Sequence, residues 1–272
     1  MKTEDYAQGD AFQAEKRAIF STEWLPACAE AQLPEPGDFL SMTVGGWSVI
    51  VVRDRSGAVR VLRNMCRHQN MPVVSTPGGQ CENFRCRFHG WTYDLQGKFL
   101  AAPPPVAPPA APHGLSTSHD LISLAVTIEA GIVFFTLDSF AAKPQLGPAL
   151  PAYGGTIVTD IAANWKVVVE HLLEGRPPGT DGFVWQAPLL ALRRAGAKAI
   201  VEQIVPHTFL RTRLFTHVFG DVVEGHRQIA SVLKANCETL QGERVAGAMS
   251  SDDNVLLSDF HRRIETAYAG SS

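Results

Sequence analysis

Apolar positions along the chain keep a helical period at first and a strand-like one soon after. Phe12, Ala18, Ile19, Phe20, Trp24 and Leu25 recur at roughly helical spacing, which predicts a helical lead over 10–25 that Pro26 interrupts and Pro34, Pro36 and Gly37 close. From 38 to 100 the pattern turns to short runs rich in Val, Phe and Tyr, such as WSVIVVRD and AVRVLRN. Turn signals at 54–57, 78–79 and 96–97 separate those runs, and together they predict an antiparallel, all-β unit. Proline crowds APPPVAPPAAPHG (102–114) too densely for a helix or a central strand, so an extended surface connection is expected there. ISLAVTIEAGIVFFTLD (122–138) returns to hairpin character, turning at 130–131.

In the second half, NWKVVVEHLLEG (164–175) predicts a helix with Trp165, Val168, Val169 and Leu172 on its apolar side and Val167, Glu170, His171 and Glu174 along the other. It stops at the Arg-Pro-Pro-Gly of 176–179. Residues 198–205 and 209–219 read as strands, and 224–241 as a helix whose inner face carries Ile229, Leu233, Cys237 and Leu240. There is no internal repeat and no coiled-coil heptad pattern.

With 272 residues the chain can bury a core without disulfide staples, as two compact domains or one large one. The net charge of -3 gives no electrostatic argument for nucleic acid or an anionic membrane surface. The N-terminus lacks the basic-then-apolar order of a signal peptide, and the longest apolar run, GIVFFTL (131–137), is too short to span a bilayer, so a cytoplasmic protein without a membrane partner is expected. Cys28, Cys66, Cys81, Cys86 and Cys237 form an odd set, and two of them stand beside histidines, which is metal-ligand spacing.

Those two carry the chemistry. Cys66-Arg67-His68 and, seventeen residues on, Cys86-Arg87-Phe88-His89 form two loops, each offering one thiolate and one imidazole. C-x-H with C-x-x-H matches a Rieske [2Fe–2S] cluster, in which two histidines replace two cysteines on one iron. A structural Cys2His2 zinc site uses the same atoms and is the rival, although it ordinarily pairs cysteine with cysteine and histidine with histidine. Cys81 lies between the loops but breaks the spacing; it, Cys28 and Cys237 read as core residues or free thiols.

At this point the sequence resembles the α subunits of Rieske non-haem iron aromatic-ring-hydroxylating oxygenases. EKRAIFSTEWLPAC, PGDFLSMTVGGWSVIVVRD, NMCRHQN, CRFHGWTYDLQGKFLAAP, GIVFFTLD and NWKVVVEHLLEG carry the likeness, with HGWTYD its most specific part. Respiratory Rieske proteins have two further cysteines, which would fall at Met71 and Phe88. With no such disulfide, the resemblance implies a potential toward the low end of roughly -150 to +300 mV. One departure is Gln69-Asn70, where the family commonly has Arg-Gly; Asn tolerates the left-handed backbone that such a turn asks for.

The resemblance also implies a mononuclear iron held by two histidines and an aspartate. Here those positions fall on Pro177, Gly182 and Leu233, so loss of the mononuclear iron is expected. Only about twenty residues separate this helix from the strands near 198, where the family builds its pocket walls. Glu174 falls at the family's bridging carboxylate, which links a cluster histidine of one subunit to its neighbour's iron. Glu170 and Lys166 read as an ordinary i,i+4 pair. His171 stands where the family has an Asn near the iron; with His207, His217 or His226 it is the candidate for a rebuilt metal site.

The expected fold is α+β: an antiparallel β Rieske domain over 36–140, a helical lead over 1–35 packed on the C-terminal domain, and a shortened helix-grip (START-like) domain over 141–272. The expected function is an electron-transferring or structural subunit of a hetero-oligomeric ring-hydroxylating oxygenase, with no catalytic residue of its own. Its partners would be an iron-bearing α-type subunit, in a trimer or hexamer, and a reductase or ferredoxin donor. The alternatives are an active hydroxylase or demethylase with a rebuilt iron site, and a redox-sensing binding module.

Overall fold

The computed structural model describes residues 1–105, 119–174, 182–248 and 254–269. The chain is α+β and divides into two compact units. One unit holds Ala29–Thr43 and Trp47–Thr127, and the other holds Met1–Cys28, Val44–Gly46 and Ile128–Ser272.

The first unit is all-β as the pattern predicts. Strand Val59–Arg63 pairs antiparallel with Trp47–Arg53 on one side and Ser123–Glu129 on the other, while Asp38–Val44 pairs with Gly78–Gln80. A smaller sheet joins Phe84–Arg85, Thr92–Tyr93 and Phe99–Ala101. Its core gathers Phe39, Ile50, Val52, Leu62, Val73, Phe84, Trp91, Tyr93, Leu95 and Leu121 around Cys66 and Cys86. Most of the proline-rich 102–114 lies outside the described residues.

The unit runs from Ala29 to Thr127 rather than over 36–140. Strand Ile132–Thr136, assigned by its hairpin character to the β domain, is fully buried, and its sheet neighbour on one side is Leu25–Ala29, which begins in the other unit. The hairpin itself is as expected, with Ala130 and Gly131 both at positive φ in its turn.

In the second unit five strands lie antiparallel in the order Tyr153–Ile161, Arg211–Phe219, Lys198–Thr208, Leu190–Ala195, Phe183–Gln186. The helices Trp165–Leu173 and Arg227–Val245 pack on this sheet. The first and last of the five strands and the Leu190–Ala195 strand had no hydrophobic pattern long enough to announce them. In Tyr153–Ile161 the Gly154-Gly155 pair, which sits at a bulge, breaks the run. Helix Val255–Ala269 is a further addition, burying Leu257, Phe260, Ile264 and Ala267.

The expected 10–25 helix is two helices, Thr3–Ala7 and Gly9–Ala18, followed by strand Leu25–Ala29. Thr22 Oγ1 donates back to the carbonyl of Ala18 at 2.9 Å, and Ser21 Oγ to that of Arg17; such side-chain bonds compete with helix continuation. Helix Trp165–Leu173 starts on Asn164, whose side chain accepts from Lys166 N at 3.0 Å. It is not amphipathic as predicted: Val167 and Glu170 are as buried as Trp165, because Gly9–Ala18, Arg227–Val245 and Val255–Ala269 cover the side expected to face water. On Arg227–Val245 the inner face carries Leu233, Cys237, Gln241 and Arg244, while Ile229 is exposed and Leu240 only half-buried.

Candidate metal centre

The two ligand loops are built alike. Cys66 N donates to Met71 O at 2.8 Å and Asn70 N to Cys66 O at 2.8 Å; Cys86 N donates to Trp91 O at 2.8 Å and Gly90 N to Cys86 O at 2.9 Å. Each loop therefore turns back on its own cysteine, and the fourth residue after that cysteine takes the left-handed conformation in both: Asn70 at φ 58° and Gly90 at φ 73°. The Asn that replaces glycine in the first loop meets the backbone demand, as its residue type predicts. The second loop is also the hairpin connection between Phe84–Arg85 and Thr92–Tyr93.

Both cysteines are buried, at 1% and 2% exposure, whereas His68 and His89 are half-exposed. The imidazoles meet edge to face at 87°, and their Nδ1 atoms lie 3.2 Å apart. Burial raises the Cys86 thiol above its ordinary range, and the neighbouring Cys66 adds to the rise. A metal's positive charge would deprotonate such a thiol outright. The donors thus form a soft buried pair and an imidazole pair at the rim, a polarity that suits an asymmetric diiron cluster. Among the described residues no three His, Cys, Asp or Glu side chains are grouped as ligands of one ion.

Surrounding side chains brace this frame. Tyr93 OH lies within hydrogen-bond reach of Cys66 Sγ, at 3.2 Å, and accepts from Arg67 N at 3.1 Å. Asn64, which the motif reading missed, is buried beneath the first loop. Its Oδ1 accepts from Val73 N and Val74 N, both at 2.9 Å, and its Nδ2 donates to Val74 O at 2.8 Å. Trp91 stacks on His68 with ring centroids 5.1 Å apart and planes 12° from parallel. Cys81 is half-buried and Cys28 and Cys237 are buried, and none of the three is in a disulfide.

Residues 23–119 match the family model described as "Rieske [2Fe-2S] domain". These loops are those of a Rieske domain. The chain is similar to the α subunit of biphenyl 2,3-dioxygenase from Rhodococcus jostii (strain RHA1), 30% identical over 178 residues that make up 65% of this chain and 35% of that one. It is also similar to the large oxygenase component of salicylate 5-hydroxylase from Ralstonia sp, 28% identical over 197 residues, 64% of this chain and 47% of that one. The matched region therefore spans less than half the length of these curated relatives. Among solved structures, the apo form of the quaternary ammonium Rieske monooxygenase CntA superposes with a TM-score of 0.79 at 19% identity, covering 98% of this chain and 94% of that one, a likeness of fold. In sequence the chain is thus similar to Rieske oxygenase α subunits, and in fold it joins an antiparallel β Rieske domain to a shortened helix-grip domain.

The positions tied to the second iron fare differently. Pro177 lies outside the described residues. Gly182 is described, at φ 82°, and a Cβ added there would sit 2.3 Å from the carbonyl oxygen of Arg194. Leu233 is 7% exposed. Glu174 closes the helix, 3.5 Å from Arg244 Nη2; its partial burial raises its pKa, against the pull of Arg244. His171, His207, His217 and His226 do not converge: His217 is sequestered between Thr156 and Gln203, His226 lies 3.3 Å from Asp221, and His207 is exposed. Glu170 and Lys166 do not pair with each other. Lys166 Nζ binds Glu15 at 2.5 Å, and Glu170 accepts from Arg244 Nε at 2.9 Å and from Tyr6 OH, with His261 Nε2 at 3.0 Å. Burial raises the Glu170 pKa, but these donors outweigh it and leave the group below its ordinary value. Among the described residues no helix is long and apolar enough to cross a membrane.

Proposed function

We propose that this chain is the electron-transferring or structural subunit of a hetero-oligomeric Rieske oxygenase, and that it lacks a mononuclear iron of its own. Cys66 and Cys86 would hold one iron of the cluster and His68 and His89 the other, and the cluster would supply one-electron transfer. The observation that carries the reading is the contrast between the two centres. The cluster loops keep every donor and both turns, while Gly182 occupies a backbone position that a histidine could not take without a 2.3 Å clash and a left-handed φ. Leu233, at the aspartate position, packs in the interior of the helix-grip domain instead of offering a carboxylate.

On this reading Glu174 is the carboxylate that would meet a cluster imidazole of a neighbouring subunit, and an iron-bearing α-type subunit and a ferredoxin or reductase are the partners. The names of the relatives, which are α subunits and large components, support an assembly of several chains. Quantifying iron and acid-labile sulfide in anaerobically purified protein tests the reading. Two of each per chain are expected. A third iron per chain, retained when Cys66→Ser removes the cluster and lost in His171→Ala, would overturn it.

A further inference from the structure

The two imidazoles of the cluster site share a role but not an environment. His68 lies under the face of Trp91, 5.1 Å between centroids and 12° between planes, an offset-stacking distance at which ring orientation is fixed by contact. Trp91 is itself immobilised: it is 3% exposed, packs against Phe99 at 4.8 Å and against His119 edge-on at 5.5 Å, and belongs to the same core as both ligand cysteines. Its backbone carbonyl accepts from Cys86 N, so one residue braces the second loop through its backbone and the first through its ring. Among the described residues His89 has no equivalent ring stacked on it. Its ring contact among the described residues is His68, and it follows Phe88, which is 49% exposed.

We infer that Trp91 is a positioning residue for the cluster, clamping the plane of His68 and keeping water from the face it covers, so as to hold the reduction potential down. The inference rests on the reading of Cys66, His68, Cys86 and His89 as the ligands. Two physical effects act in one direction. One-electron reduction adds a negative charge to the cluster, with no bond made or broken, and a ring that excludes water disfavours the added charge. The electron-rich indole face also raises the basicity of the imidazole beneath it, which favours the oxidised iron. Replacing the ring with an aliphatic side chain removes both effects, and replacing it with another ring keeps most of them.

The test compares Trp91→Phe with Trp91→Leu and Trp91→Met by potentiometric titration and by the ¹⁴N hyperfine couplings of the reduced protein. Iron and sulfide are counted on each. The aliphatic variants are expected to show about a tenfold higher reduced-to-oxidised ratio at fixed poise, which is 59 mV for a one-electron couple, with one of the two imidazole couplings altered. The Phe variant is expected to stay within about twofold of the parent. Should Leu disturb cluster loading, the flexible Met fills the space and decides the question. Loaded aliphatic variants whose potential and both couplings match the parent would overturn the inference. Absence of iron and sulfide from the parent protein would overturn the ligand assignment itself, and this inference with it.

Discussion

At the residue scale, burial decides which titratable groups do chemistry and which hold structure. His217 shows the second case. Gln203 commits its Nε2 to the carbonyls of Pro26 and Ala27, at 3.0 and 2.9 Å, so its Oε1 is left to accept from His217 Nε2 at 2.9 Å. The other ring nitrogen then accepts from Thr156 Oγ1 at 2.7 Å, and Tyr153 OH donates to Thr156 at 2.6 Å. A neutral imidazole satisfies this chain and a protonated one breaks it, and burial lowers its pKa to about 3. Because the folded value lies below the unfolded value near 6.5, the stabilisation is complete above about pH 6.5 and is lost as pH falls toward 3. Denaturant titrations should show stability falling by up to about 1.4 kcal/mol per pH unit from this group between pH 6 and 4. His217→Gln should flatten that slope relative to the parent, and an unchanged slope would show that the ring is free to protonate in place.

At the element scale, helix Trp165–Leu173 shows where sequence reading worked and where it stopped. Asn164, Trp165 and Pro177-Pro178 mark its ends in the sequence, and the structure places it over Trp165–Leu173. Its surroundings were not legible, because a charged residue at i and another at i+4 look the same whether they face water or a second charged helix. Lys166 and Glu170 are both fully buried, each paired with a residue distant in the chain. The turns of the Cys66 and Cys86 loops were legible for the opposite reason: they and the Asn70 conformation depend on residues within a few positions of each other. Strands such as Phe183–Gln186 become strands only by pairing, so four residues alone did not announce them. The buried pair gives a sharp test. Glu15 also accepts from Trp165 Nε1 and Tyr268 OH, both at 2.6 Å, so it stays held in the interior when Lys166 is lost. Lys166→Met should therefore cost about 3–5 kcal/mol by urea denaturation, and Glu15→Gln with Lys166→Met should recover much of it. Additive losses would mean that the two charges do not act as a pair.

At the scale of the whole molecule, the proposed role joins two observations, the paired turns that present Cys66, His68, Cys86 and His89 and a Gly182 where an added Cβ would sit 2.3 Å from the Arg194 carbonyl. His68 and His89 are half-exposed and Cys66 and Cys86 are buried, the polarity that the proposed transfer to a neighbouring chain would use. The redox-sensing alternative uses the same frame but sends the signal through binding instead of turnover. Co-expression with an iron-bearing α-type subunit separates the two. In the mixed assembly Cys66→Ser should abolish the turnover that depends on this chain while leaving association intact, since the loop is also anchored by Asn64 and Tyr93. Glu174→Gln should slow that turnover at least about tenfold if the carboxylate bridges to a cluster imidazole, because orienting partners of metal ligands typically contribute 10–100-fold. Association that follows the oxidation state of the cluster, with turnover indifferent to Cys66→Ser, would assign the chain to sensing, and a homo-oligomer that never engages an iron-bearing subunit would exclude the electron-transfer role.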